Sequence, residues 1–153
     1  MSVRTAAFFG AFLLAASLLS GVARAELKAG GAYNSLYAGL GAKGYDVVNY
    51  FTDGKPAQGK DSYTVEYGGV KWQFVSAEHR DQFKVNPERY VPQYGGFCSW
   101  GVANGKLFEI DPVNGWRIVD GKLYLNFNAD IQKVFDRDPY GFIKRANLNW
   151  PNL

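Results

Sequence analysis

Two stretches of the chain alternate between apolar and polar residues with the period of a β-strand. Residues 63–67 (YTVEY) and 70–75 (VKWQFV) are separated by Gly68-Gly69, a pair that favours a tight two-residue turn. The apolar residues on one face of the second stretch are Val70, Trp72 and Phe74. The pattern therefore predicts an antiparallel hairpin with that face packed on the core.

A second hairpin is predicted further along, because residues 116–119 (WRIV) and 122–127 (KLYLNF) flank Asp120-Gly121, another strong turn signal. Residues 97–103 (FCSWGVA) are apolar enough for a short buried helix. Residues 45–51 (YDVVNYF) are β-branched and aromatic and predict a short strand or extended segment.

Helical patterns follow both hairpins. Ser76 is a favourable N-cap for a helix over 77–85, and Pro87 can begin a short second helical turn. Residues 129–148 carry apolar positions at helical spacing, interrupted at Asp138-Pro139, which predicts one broken helix or two short ones. The predicted fold is α+β, with two antiparallel β-hairpins in a small sheet packed by short helices and a C-terminal helix.

The N-terminal residues are typical of a secretory leader. Arg4 is followed by an apolar run over 5–20, too short for a span of about 20 apolar residues. Ala23-Arg24-Ala25 matches the small-x-small pattern of a cleavage site. We expect residues 1–25 to be a signal peptide and the mature protein to be periplasmic or secreted, the alternative being a retained N-terminal anchor. Residues 26–43 are rich in Gly and Ala and predict a partly ordered extension, with a short helix near 33–40.

Composition limits the chemistry of the chain. It contains one His, one Cys and one Met, and the Met is the initiator. Two of the basic residues lie in the leader, so the mature chain is closer to neutral than the net charge of +3. Because the remaining basic residues are scattered, we expect no nucleic-acid partner. No stretch after the leader is apolar enough to predict a stable membrane span.

Several motifs together resemble the YHS domain family, specifically its exported, single-domain bacterial members. These motifs are GYDVVNYF, EYGGVKWQFVSAEHRDQF, NPERY, YGGFCSWG and VDGKLYLNF. The resemblance implies a YHS-like domain over 44–153 that includes the C-terminal hairpin and helix. It also implies metal binding, with copper as the candidate cofactor, through two cysteines where the second strand leads into the helix. Val75 and His79 occupy those positions here, so at most one ligand of the family site is retained.

The candidate metal ligands in this chain are His79, Cys98 and Glu78. A zinc site usually takes four ligands and a blue-copper site needs two His and a Cys, so carboxylates or a second subunit would have to complete the set. The other interpretation of His79 is a partly exposed residue in the first turn of a helix, with local hydrogen bonds only. Cys98 has three interpretations: a buried core residue, a ligand or nucleophile with His79 as its base, and half of an intermolecular disulfide.

All four Trp and all ten Tyr lie after the leader, more than a core of this size must bury. They are interpreted either as core packing or as the lining of a small-molecule pocket. The pocket residues that we predict are Tyr45, Asp46, Trp72, Tyr94 and Trp100.

The sequence favours an exported, non-catalytic binding protein of the YHS type, for a metal ion or a small ligand. The alternative is a structural or protein-interaction module that docks an unknown partner protein through an aromatic patch or Cys98, and an enzyme comes third.

Overall fold

The computed structural model describes residues 33–34 and 37–153. The expected leader, its cleavage position and most of the N-terminal extension lie outside the described residues. The helices are α1 (Asn49–Thr52), α2 (Ala77–Val85), α3 (Pro87–Tyr90), α4 (Ser99–Ala103), α5 (Ala129–Phe135) and α6 (Pro139–Asn149). The strands are β1 (Lys60–Tyr67), β2 (Val70–Phe74), β3 (Trp116–Val119) and β4 (Lys122–Leu125). Short 3₁₀ turns are formed by Gly41–Gly44, Gln93–Gly96 and Trp150–Asn152.

Both predicted hairpins are confirmed. Strands β1 and β2 pair antiparallel, and so do β3 and β4. Asp120 and Gly121 have φ values of 49° and 72°, so both central residues of the second turn adopt the left-handed conformation that such short hairpins require. The two hairpins form separate two-stranded sheets among the described residues. Together with the helices they make the expected α+β fold.

The prediction of a short strand or extended segment over 45–51 is wrong after Asp46, because residues 47 and 48 form a turn and helix α1 follows. Tyr45 makes only an isolated bridge with Gln58, and the chain then enters helix α1. The cause is the side chain of Asp46, whose Oδ1 accepts hydrogen bonds from the backbone N–H groups of Val48 at 2.8 Å and Asn49 at 3.1 Å. Such local side-chain bonds favour a helical turn over an extended strand, even where the residues are β-branched.

The helices predicted over 77–85, after Pro87, within 97–103 and over 129–148 are confirmed, and side-chain caps explain where several of them begin. Ser76 Oγ accepts the backbone N–H of His79 at the start of α2. Asn128 and Asp138 cap α5 and α6 in the same way, so the segment 129–148 is two helices rather than one. Residues 37–40 form a turn, so the described part of the expected helix near 33–40 is not helical.

The hydrophobic core consists of two clusters. The larger one packs the buried face of the first hairpin against Phe83 of α2 and the second hairpin, and it includes the thiol of Cys98. The smaller one joins Tyr94 and Tyr124 to the C-terminal helices. Within the described part of the chain, no helix has the length and apolar character needed to cross a membrane.

Candidate functional site

The three candidate metal ligands lie in different surroundings. His79 Nδ1 is 2.7 Å from Asp46 Oδ2, and its Nε2 is 3.5 Å from Thr52 Oγ1. The exposed carboxylate of Glu78 accepts a hydrogen bond from Gln82. Cys98 is fully buried at the start of α4. The structure therefore does not bring His79, Glu78 and Cys98 together.

The donor set does not fit a copper site. Among the described residues, no group of three or more His, Cys, Asp or Glu side chains is placed to hold a metal ion. One ring nitrogen of His79 is already bonded to Asp46, and the Cys98 thiol is bonded within the core. The metal site that the YHS resemblance implies is therefore not assembled by the described residues.

Asp46 is a buried carboxylate whose hydrogen bonds join separate parts of the fold. Its Oδ1 accepts the two N–H groups at the start of α1, and its Oδ2 accepts the backbone N–H of Val75 at 2.9 Å and the imidazole of His79. The side chain has no exposed surface. Asp46 thus links α1 to the junction between β2 and α2, and it does not line an open pocket.

The Cys98 thiol has the surroundings of an inert core group. It donates to Asn126 Oδ1 at 3.7 Å, and its sulfur accepts the backbone N–H of Gly101 at 3.4 Å. Burial raises the pKa of the thiol above its ordinary value, more than the backbone N–H groups near the sulfur lower it. The cysteine is free, and the described structure gives its sulfur no imidazole partner. These features support the core interpretation over a nucleophile or an intermolecular disulfide.

We expect Cys98 to resist thiol reagents in the folded protein, because the sulfur is inaccessible and little of it is thiolate at neutral pH. Ellman's reagent should release no thionitrobenzoate from the native protein over an hour, and should release one equivalent after guanidinium chloride is added. Rapid labelling of the native protein would show that the sulfur is accessible and contradict this.

The predicted pocket residues do not converge on one cavity. Trp72 is in the core, where its indole N–H donates to the carbonyl of Tyr67 at 3.0 Å. Tyr94 belongs to the second core cluster and donates its hydroxyl to Asn147 of α6 at 2.9 Å. Tyr45 is half-buried beside its bridge to Gln58. Of the five, Trp100 is the one that lines an open cleft described by the structure.

That cleft has a volume of about 280 Å³ and an apolar lining. Its walls are Trp100, Phe108, Phe127, Asn128 and Ile131. The rings of Trp100 and Phe108 are nearly parallel, 6.4 Å apart, and Phe127 lies 6.3 Å from Phe108. We call this the aromatic cleft.

The walls of the aromatic cleft are fixed by hydrogen bonds behind them. Asn126 Oδ1 accepts the backbone N–H of Trp100 at 3.1 Å, and the carbonyl of Phe108 accepts the backbone N–H of Cys98 at 3.1 Å. Gly101 leaves room for the Phe108 ring, since a Cβ there would lie 2.6 Å from it. The cleft is therefore a preformed feature of the fold.

Sequence reasoning missed the other walls of the cleft. Phe108 follows Leu107 in a segment with no regular period, so nothing in the pattern placed it beside Trp100. Phe127 lies at the end of the predicted strand 122–127, and nothing in that pattern indicates that its side chain is 48% exposed in the structure. Ile131 is one of the apolar positions in the predicted helical segment 129–148, and helical spacing alone does not place it beside Trp100.

Comparison of the chain with protein-family models, with curated proteins and with solved structures finds no match.

Proposed function

We propose that the chain is an exported binding protein of the YHS type, and that its ligand is a small, uncharged, apolar molecule held in the aromatic cleft. The observation that carries this proposal is the cleft itself, with three aromatic rings and Ile131 around one open volume. Apolar side chains that remain open to solvent in this arrangement gain free energy when a ligand covers them.

The lining determines which ligands fit. Among the described residues, no charged side chain lines the cleft, so an ionic ligand would lose its hydration without gaining a partner there. Cavities of about 150 Å³ hold benzene, and pockets for drug-sized molecules begin at about 300 Å³. A cleft of about 280 Å³ therefore suits a neutral molecule of one or two rings, or one of similar size.

Binding in the cleft is expected to be non-catalytic. The part of the chain that the structure describes places no Ser, Thr, Cys, His, Lys, Asp or Glu side chain in the cleft lining that could serve as a nucleophile or a general base. Asn128 is polar, but its Oδ1 is used to cap α5 by accepting the N–H of Ile131 at 2.8 Å. The ligand should leave the cleft chemically unchanged.

The test uses 2-naphthol, which is neutral at pH 7, and 2-naphthoate, its anionic counterpart. Saturation-transfer NMR and calorimetry should detect 2-naphthol and show the anion to bind at least tenfold more weakly. Phe127→Ser removes one wall and should weaken binding of 2-naphthol by about tenfold or more, since burying a large apolar side chain is worth about 1.5–3 kcal/mol.

Leu148→Ser is the matched control, because Leu148 is also an exposed apolar residue, at 69%, and does not line the cleft. It should bind 2-naphthol as the wild type does. If neither compound binds the wild-type protein, the proposed function fails. Equal weakening by both substitutions would place the binding elsewhere.

A partner protein is the second candidate, because two walls of the cleft are exposed aromatic side chains. Phe108 is 37% exposed and Phe127 is 48% exposed. A partner would dock by inserting an apolar side chain between these residues. The burial of Cys98 does not favour docking through that residue.

A further inference from the structure

Asp46, His79 and Thr52 form a hydrogen-bonding array that the aromatic cleft does not use. The carboxylate oxygen Asp46 Oδ2 lies 2.7 Å from His79 Nδ1, and His79 Nε2 lies 3.5 Å from the hydroxyl oxygen of Thr52. The three residues come from the segment before α1, the end of α1 and the first turn of α2. Along the hydrogen bonds, Asp46 is an orienting carboxylate, His79 is a base and Thr52 is a hydroxyl.

The surroundings of Asp46 determine which way the imidazole faces. Three backbone N–H groups already donate to the carboxylate, which is an acceptor in each of these bonds. His79 Nδ1 must then be the donor in the short contact with Oδ2. In the neutral imidazole this leaves Nε2 without a hydrogen, so the lone pair that can accept a proton faces Thr52.

The array is open to solvent on the side where a reacting molecule would arrive. Thr52 is an exposed residue, whereas the Asp46 side chain is fully buried and that of His79 is 12% exposed. Thr52 Oγ1 is also 3.3 Å from the carbonyl oxygen of Val48, which accepts its hydrogen within α1. Rotation of the hydroxyl moves that hydrogen between the Val48 carbonyl and His79 Nε2, so the base can be engaged without a movement of the backbone.

From this geometry we propose that Thr52 is a nucleophile for acyl transfer, with His79 as its general base and Asp46 as the residue that orients His79. The substrate class is activated esters of small carboxylic acids. Thr52 Oγ1 forms a bond to the acyl carbon while its proton passes to His79 Nε2. The ester C–O bond breaks, and the leaving oxygen takes that proton and departs as an alcohol or phenol.

The second half of the reaction uses water. His79 Nε2 takes a proton from a water molecule while the water oxygen forms a bond to the acyl carbon of the Thr52 ester. The bond from the acyl carbon to Thr52 Oγ1 breaks, and that oxygen recovers a proton from His79. The products are a free carboxylic acid and the original hydroxyl, so the atoms balance without any further reactant.

The experiment treats the full chain with p-nitrophenyl acetate and follows nitrophenol release, with peptide mass mapping of the acetyl group. The wild type should carry acetyl on Thr52. Thr52→Val keeps the shape but has no hydroxyl, so it should lose that adduct and reduce the release rate at least tenfold. Thr52→Ser should retain both. Thr64→Val is the matched control, since Thr64 donates to the carbonyl of Asp61 and has no imidazole contact in the structure.

His79→Gln separates the base from the nucleophile. It should lower the rate of Thr52 acetylation at least tenfold, because a positioned general base commonly contributes about 10² to 10⁴ to the rate. Circular dichroism should show that the variant is folded. Three outcomes would each overturn the proposal. Thr52→Val could release nitrophenol at the wild-type rate, or the acetyl group could be found only on lysines or His79. The third outcome is acetylation of Thr52 that is unchanged in His79→Gln. None of these outcomes bears on ligand binding in the aromatic cleft.

Discussion

Asp46→Ala is expected to lower the free energy of unfolding by about 3–5 kcal/mol. The substitution removes the acceptor of the buried Val48 N–H and of the partly buried Val75 N–H, and the partner of the His79 ring. The N–H of Asn49 loses the side-chain oxygen but keeps the backbone carbonyl of residue 46 at 3.2 Å. A donor left without a partner in the core costs about 1–3 kcal/mol, and a domain has only about 5–15 kcal/mol in total. We expect thermal and urea unfolding, followed by circular dichroism, to show a loss of this size.

Asp46→Asn should be nearly as damaging although it has the same shape. An amide has one oxygen, so it can accept either from the start of α1 or from Val75 and His79, but not from both. The NH₂ group would then face at least one N–H donor. If Asp46→Asn unfolds at the wild-type urea concentration, the carboxylate is not needed as an acceptor on both sides and this account is wrong.

His79→Ala is the control for the Asp46 variants. It leaves the three backbone N–H groups bonded to the carboxylate, so it should cost only about 1–2 kcal/mol. The order of stability should therefore be wild type, His79→Ala, then both Asp46 variants. This order shows whether the Asp46 carboxylate stabilises the fold through its hydrogen bonds to backbone N–H groups or only through its hydrogen bond to the His79 imidazole.

The same residue shows which parts of the fold could be predicted. Hairpin turns and the Ser76 cap depend on neighbours a few positions away, so their signals lie within a short window of sequence. The role of Asp46 depends on Val75 and His79, which are 29 and 33 positions further along. No window around residues 45–51 contains those partners, so the link from Asp46 to the start of α2 could not be predicted. The turn into α1 is itself local, since Asp46 Oδ1 accepts the N–H groups of Val48 and Asn49, and the strand was predicted because β propensity was given more weight than this signal.

The candidate site was harder to predict for the same reason. The interpretation of Cys98 as a buried core residue came from local composition, and the structure places the thiol in the core. Trp100 was a predicted pocket residue and lines the aromatic cleft, but its neighbours there come from the segment before β3, from the connection between β4 and α5, and from α5. Which aromatic residues stay exposed depends on how these segments pack, and periodicity does not contain that information.

Asn126→Ala is expected to be the other strongly destabilising change, at about 3–4 kcal/mol. Asn126 has no exposed surface. Its Oδ1 accepts from the backbone N–H of Trp100 and the thiol of Cys98, and its Nδ2 donates to Gln132 Oε1 at 2.9 Å. Alanine leaves the partly buried N–H of Trp100 and the buried amide oxygen of Gln132 without these partners, and it opens a cavity beside them.

Two further variants show what the Asn126 side chain contributes. Cys98→Ala removes the weak thiol bond but leaves the bond from Trp100 to Asn126, so it should cost less than about 2 kcal/mol. Asn126→Asp keeps the acceptor but buries a charge and loses the bond to Gln132, so it should be as destabilising as alanine. An Asn126→Asp variant as stable as the wild type would contradict the role given to the amide.

The Asn126 variant also connects the core to the aromatic cleft. Because the amide oxygen holds the first turn of α4 in place, its loss should allow Trp100 to move and weaken 2-naphthol binding several-fold even in the protein that remains folded. Cys98→Ala should leave that affinity unchanged. If Asn126→Ala loses stability but binds 2-naphthol as the wild type does, Trp100 is held by packing against Phe108 rather than by the buried amide.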